Sequence, residues 1–208
     1  MDDIPSPIDL RNMPDAQNWA NSAMVKRPWR RDFFETILLE LSTLATKNQS
    51  ILELGSGPGF LAARVLTAMP EVTYFALDFS APMHTLARQR LGSLTSRVRF
   101  WDADFKDPKW ATTLPTVDAV VTVQAVHELR HKRHAPAFYA QVRSVLRSGG
   151  FLLVCDHLCG AGGMADTALF MTPEEHESAL VAGGFSNIRQ LRKDGGLVLF
   201  RVNETIAA

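Results

Sequence analysis

The sequence predicts an α/β fold, a doubly wound, mostly parallel sheet with an antiparallel hairpin at its C-terminal end. Three observations carry that expectation. Short runs of β-branched and aliphatic residues alternate with stretches whose apolar residues recur at helical spacing. The apolar run at 51–54 breaks into Gly55-Ser56-Gly57-Pro58-Gly59, and a helical pattern begins at once with Phe60, Leu61, Val65, Leu66 and Met69. Two final strand patterns, at 185–192 and 197–202, are divided by Asp194-Gly195-Gly196, as in a hairpin.

The chain has 208 residues, enough for one substantial core. It is 46% hydrophobic and 21% charged, the balance of an ordinary globular protein. Lys plus Arg and Asp plus Glu both number 22, so the basic surplus of a nucleic acid binder is missing. Local cations at Lys26, Arg27, Arg30 and Arg31, and from Arg130 to His134, read as solvated faces. No run approaches the ~20 apolar residues of a membrane span. The opening MDDIPSPIDL lacks a signal-peptide pattern. Two cysteines, Cys155 and Cys159, are too few for a disulfide framework, so the expectation is a cytoplasmic protein with free thiols.

In chain order, residues 1–25 are polar and carry Pro5, Pro7 and Pro14, so they are expected to drape over the surface. Trp19 and Trp29 either close over a pocket or pack on the domain. Residues 30–46 read as an amphipathic helix with Phe33, Phe34, Ile37, Leu38, Leu41 and Leu44 in one stripe. The first 48 residues thus form a helical cap, with the main domain at 49–208. Ile51, Leu52 and Leu54 belong to a buried strand, and Pro70 ends the helix that follows. VTYFALD (72–78) is a second strand closed by Asp78. Ser80 caps the next helix, with Pro82 in its first turn. VRFW (98–101) and VDAVVTV (117–123) are the third and fourth strands. Pro136 starts a helix carrying Phe138, Val142, Val145 and Leu146, ended by Gly149-Gly150. FLLVCD (151–156) is the fifth strand, and the Gly-rich stretch 157–171 is expected to be loose. Thr172 and Glu175 form a capping box for a helix that stops at Gly183-Gly184. Ligands of such sheets bind beyond the carboxyl ends of the strands.

Those strand ends carry chemistry. Glycine alone takes positive φ without cost and lets a ligand touch bare backbone, so the Gly55–Gly59 loop is a candidate cofactor site. Its G-x-G-x-G spacing differs from the G-x-G-x-x-G of dinucleotide folds. Glu53 interrupts an apolar strand, and burying it without a partner would cost several kcal/mol, roughly, so a polar site nearby is implied. Asp78, Asp104 and the segment Gln124–Glu128 follow at successive strand ends. The turn L-R-S-G-G-F-L-L lies at 146–153.

Taken together, these features resemble the class I S-adenosylmethionine-dependent methyltransferases over residues 50–203. The resemblance implies a Rossmann-like sheet of seven strands, mostly parallel, with S-adenosyl-L-methionine as cofactor. It places Glu53, Gly55, Ser56, Gly57 and Gly59 against the methionine part of the cofactor. It gives Asp78 both ribose hydroxyls, a bidentate contact. Phe79 and Met83 would flank the adenine, with Met83 equally readable as core. Asp104, with Phe105 beside it, would receive the adenine amino group, and Asp102 is the competing choice. Gln124 would face the methionyl group and the acceptor.

His127 is the candidate catalytic residue, either lining the acceptor site or acting as general base. Residues 127–131 also spell H-E-x-x-H, the zinc motif of metallopeptidases. That motif needs a helix to put both imidazoles on one face, and here it follows a strand amid cations, so a zinc hydrolase on His127 and His131 is only an alternative. With Gln124, Ala125 and Val126 where a magnesium-binding acid would stand, no metal is expected. A non-catalytic module that binds the cofactor is a further alternative. The sequence lacks the Asn-Pro-Pro-Tyr or Asp-Pro-Pro-Tyr of amino-group modifiers and the Pro-Cys of cytosine modifiers. The expected partner is a small-molecule acceptor, with no nucleic acid and no membrane.

Overall fold

The structure, a computed structural model, describes residues 3–44, 48–160 and 162–203. Seven strands form a sheet in the order β3-β2-β1-β4-β5-β7-β6, numbered along the chain. Two compact units divide the chain: Pro7–Asp104, and Phe105–Ala208 together with Met1–Ser6.

The first unit holds α1 (Met13–Lys26), α2 (Arg30–Leu41), β1 (Ser50–Leu54), α3 (Phe60–Ala68), β2 (Thr73–Asp78), α4 (Ala81–Leu91) and β3 (Val98–Asp102). β1 and β2 pair in parallel, as do β2 and β3, with Glu53 opposite Ala76 and Asp78 opposite Asp102. β1 is buried along its whole length, as expected of a strand covered on both faces. The expectation of a draped N-terminus is overturned, because α1 forms there. The Asn12 side chain accepts from the Asp15 N–H, Pro14 sits in the first turn, and the buried face is made of Ala16, Ala20 and Ala23. Ala16 and Ala20 pack with Met83 and Leu86, and Leu10 and Trp19 close the same cluster. α2 ends at Leu41, short of the predicted 46, and Ser42 donates back to the last turn. Ala45 and Thr46, in that predicted helix, lie outside the described residues, as does Ala161 in the Gly-rich stretch.

The second unit holds β4 (Val117–Val123), α5 (Ala135–Val145), β5 (Leu146–His157), α6 (Pro173–Ala182), β6 (Asn187–Asp194) and β7 (Leu197–Asn203). β4 and β5 are parallel, while β7 runs antiparallel to both β5 and β6. α5 stops one residue before the predicted Leu146, which turns to extended geometry and begins β5. The glycines there do not end the helix. Gly149 takes φ +79° within β5, and the β4–β5 register shifts between Val117 and Ala119. The capping box at Thr172 and Glu175 is present. The 157–171 stretch is pinned rather than loose. Leu158 N–H donates to Gly196 O, Cys159 N–H to Met171 O, and Lys132 N–H to Ala168 O. Gly196 is required there, since a Cβ would meet Gly162 O at 2.3 Å.

Candidate active site

In the first unit the glycine loop spends its own N–H groups. Gly55 and Ser56 donate to Leu77 O, Gly57 donates to the Asp78 carboxylate at 2.7 Å, and Gly59 donates to Ser56 O. Pro58 has no N–H. A loop so engaged is not a cradle for phosphate, which needs several free amides. It suits a ligand that touches the backbone by van der Waals contact. Gly55, Gly57 and Gly59 all have positive φ. The space a Gly57 Cβ would enter is empty, whereas a Gly59 Cβ would come within 3.2 Å of the Ala87 Cβ. Gly57 therefore leaves room beside the loop, and Gly59 lets α3 approach α4. The Ser56 hydroxyl is buried with no partner among the described residues, an orphan that a polar ligand group would satisfy.

Glu53 is buried and accepts from the Tyr74 hydroxyl at 2.8 Å. Burial raises its carboxyl to about 8, with a smaller push from Asp78 and opposition from the Tyr74 hydrogen bond. The residue is thus a neutral acid at pH 7. Asp78 is also buried. Its Oδ2 accepts from Gly57 and its Oδ1 from Ser80, and the carboxylate also accepts from the Phe79 N–H. Burial raises its pKa, against the pull of those N–H groups and of His84. Asp102, the competitor of Asp104, is engaged by His84 Nδ1 at 2.7 Å. Asp104 instead meets Arg11, 3.7 Å away. Phe79 is half-buried, with the Arg11 guanidinium 4.5 Å from its ring centre. Met83 lies in the α1–α4 packing.

In the second unit Phe105 is buried against Phe138, with ring centres 5.3 Å apart. Gln124 follows β4 at φ +53°, which aims its side chain at His157; its amide donates to His157 Nε2 at 2.7 Å. The Gln124 Oε1 is buried and has no partner among the described residues. His127 lies on a 3-10 turn, Val126–Leu129, that ends at Arg130 with φ +66°. The helix that H-E-x-x-H requires is therefore missing from this segment, and His131 Nδ1 is turned to the Arg133 N–H.

Asp156, at the end of β5, organises the surroundings of His127. Its carboxylate accepts from His127 Nδ1 and from the His127 N–H, both at 2.8 Å, and from the His157 N–H at 2.7 Å. Burial opposes ionisation of Asp156, but the His127 imidazole outweighs it and takes the carboxyl down to about 2. Burial likewise favours neutral His127, yet Asp156, helped by Glu128, raises its pKa above the ordinary histidine value. A carboxylate only accepts, so the Nδ1 proton is fixed and the lone pair of neutral His127 lies on Nε2. Tyr74 and Asp156 were not singled out as partners from the sequence. Asp156 showed the same signal as Glu53, an acid inside an apolar strand.

The chain is similar to known methyltransferases. Residues 51–150 match the family described as "Methyltransferase domain". An uncharacterized methyltransferase of Mycobacterium tuberculosis is 29% identical over 77% of this chain and 73% of its own. Another, from Anoxybacillus flavithermus, is 28% identical over 68% of this chain, which spans 63% of that relative. Human N-acetylserotonin methyltransferase, solved with S-adenosylmethionine, superposes with a TM-score of 0.69 at 16% identity, over 93% of this chain and 57% of its own. These matches, over just under half of the chain for the family, support a class I S-adenosylmethionine-dependent methyltransferase, a class whose cofactor is S-adenosylmethionine.

Proposed function

We propose that the protein methylates a hydroxyl or amine of a small molecule, with His127 as general base. The observation that carries this reading is the buried Asp156 carboxylate on His127 Nδ1, which leaves Nε2 to take a proton. S-adenosylmethionine supplies a methyl carbon on a sulfonium, a leaving group that needs no acid. The chain's residues then do four things. The Gly55–Gly59 backbone and the Ser56 hydroxyl receive the methionyl part, and Glu53 becomes ionised beside its cationic groups. Asp78 accepts from the ribose hydroxyls. Phe79 and Asp104 hold the adenine by its face and its amino group. Gln124 Oε1 accepts from a second donor group of the acceptor, while His127 Nε2 removes the proton of the attacking hydroxyl or amine. Correct alignment of nucleophile and methyl carbon is worth ~7–11 kcal/mol in such displacements.

Two features support a small acceptor: the sequence lacks the motifs of nucleic-acid amino-group and cytosine modifiers, and the acceptor named for the human structure is small. Free Cys155 and Cys159 favour a reducing, cytoplasmic setting. Among the described residues no helix is long and apolar enough to cross a membrane. The test is methyl transfer from labelled S-adenosylmethionine to a panel of phenols, alcohols and amines. Cofactor binding without transfer to any of them would leave a binding module instead.

A further inference from the structure

We propose that Arg11 gates the adenine subsite: its guanidinium holds the place of the base on Phe79 and Asp104, and must swing away for the cofactor to enter. This rests on the assignment of those two residues to adenine. The Arg11 Cζ lies 4.5 Å from the Phe79 ring centre, the stacking layer a purine would occupy. Its Nη2 lies 3.7 Å from Asp104 Oδ2, the oxygen that would receive the adenine amino group. A guanidinium suits both contacts for the reason adenine does, being planar and edged with N–H donors. The two cannot share one layer on one ring face.

The surrounding chain makes this a side-chain gate rather than a mobile arm. The Arg11 N–H donates to Asp9 Oδ1 at 3.0 Å, and the Ser80 hydroxyl donates to Leu10 O while accepting from Met83 N–H. Leu10 packs on the cluster of Ala16, Ala20, Met83 and Leu86. The backbone at Arg11 is thus moored to the start of α4, and its side chain, 61% exposed, is free to rotate into water. A site that is open only part of the time binds with an affinity reduced by its open fraction. An exposed ion pair and an exposed cation–π contact are each modest, so removing the gate should tighten binding about threefold to tenfold.

The measurement is calorimetric titration with S-adenosylhomocysteine. Arg11→Ala should bind more tightly than the native chain, and Arg11→Lys, which keeps the charge but loses the plane, should fall between them. Equal or weaker binding by Arg11→Ala overturns the gate, weaker binding meaning that the guanidinium instead assists the base. The double variant Arg11→Ala, Asp104→Asn separates the gate from the assignment beneath it. With the gate already removed, it should bind more weakly than Arg11→Ala alone. If it binds equally, adenine does not use Asp104, and the gate falls with that assignment. Arg11 lies at the surface, so the two single variants should keep the native melting temperature within a few degrees.

Discussion

The Asp156 carboxylate binds His127 twice, at the backbone N–H and at Nδ1, each at 2.8 Å. Two bonds from one buried acid fix where the ring sits and which nitrogen carries its proton. A general base must be neutral to act, and this pair holds its pKa above the histidine norm. The kcat/KM of the native enzyme should therefore fall with decreasing pH through an inflection above ~6.5. Asp156→Asn should move that inflection to lower pH and also lower the plateau, because the amide no longer fixes the tautomer. His127→Ala should lose about 10²–10⁴-fold in kcat with cofactor affinity unchanged. A pH–rate profile of the three proteins checks all of this, and unchanged turnover in His127→Ala removes the residue from the mechanism.

The same pair makes stability depend on pH, and the two partners act at opposite ends of the range. Asp156 has its pKa depressed by folding, so its contribution is complete above the unfolded value of ~3.9 and is lost as pH falls toward about 2. His127 has its pKa raised, so its contribution is complete below ~6.5 and is lost as pH rises through the folded value. Their joint effect is greatest between ~4 and ~6.5. Asp156→Ala should cost roughly 2–4 kcal/mol in that window, since it orphans buried donors as well as the charge, and less at pH 9. Urea unfolding at both pH values measures the difference.

Much of this site was legible in the sequence because an acid in an apolar run is conspicuous. Glu53 and Asp78 announced themselves in that way, each at the end of a strand. The pairings were not legible. Tyr74 finds Glu53 only through the β1–β2 register, which sets Glu53 opposite Ala76 and so brings Tyr74 alongside, and a register is not written in either strand alone. Asp156 in β5 meets His127 on the turn that follows β4, a pairing that likewise depends on how β4 and β5 lie together. Helix α1 was missed because its buried face is Ala16, Ala20 and Ala23, small residues that bury little area and stand out weakly among polar neighbours. The end of α5 was placed too late, at Gly149-Gly150, because that pair looks like a helix stop, whereas the helix ends at Val145. Gly150 is instead confined by the backbone, where a Cβ would meet Asp118 O at 2.8 Å.

Two glycines of one loop should behave differently when replaced. Gly57→Ala strains a backbone at φ +53° but its new methyl enters open space, so the fold should lose only ~1 kcal/mol. That methyl occupies the room beside the loop, so cofactor affinity should fall more than stability does. Gly59→Ala adds the same kind of strain at φ +76° and presses its Cβ on Ala87, which belongs to α4. A helix-to-helix contact yields less readily than solvent, so this variant should lose about 2–3 kcal/mol. Thermal melts and S-adenosylhomocysteine titrations, run side by side, separate the two effects. A Gly57→Ala protein with native affinity would show that the ligand does not lie against this loop.

With Glu53 beside the methionyl group, as proposed, cofactor binding should release a proton. Burial holds its carboxyl at about 8, so near pH 7 it is mostly protonated before binding. The ammonium and sulfonium of S-adenosylmethionine favour the carboxylate, and the proton must then leave for solvent. Affinity should consequently rise with pH up to about 8 and flatten above it. Calorimetry at pH 7 in two buffers of different ionisation enthalpy should register a release approaching one proton. S-adenosylhomocysteine keeps the ammonium but lacks the sulfonium, so its binding should release less. In Glu53→Gln the acid is gone, and both the release and the rise of affinity with pH should vanish. Proton release undiminished in that variant would assign the effect to another group, and Asp78, whose pKa burial also raises, would be the one to replace next.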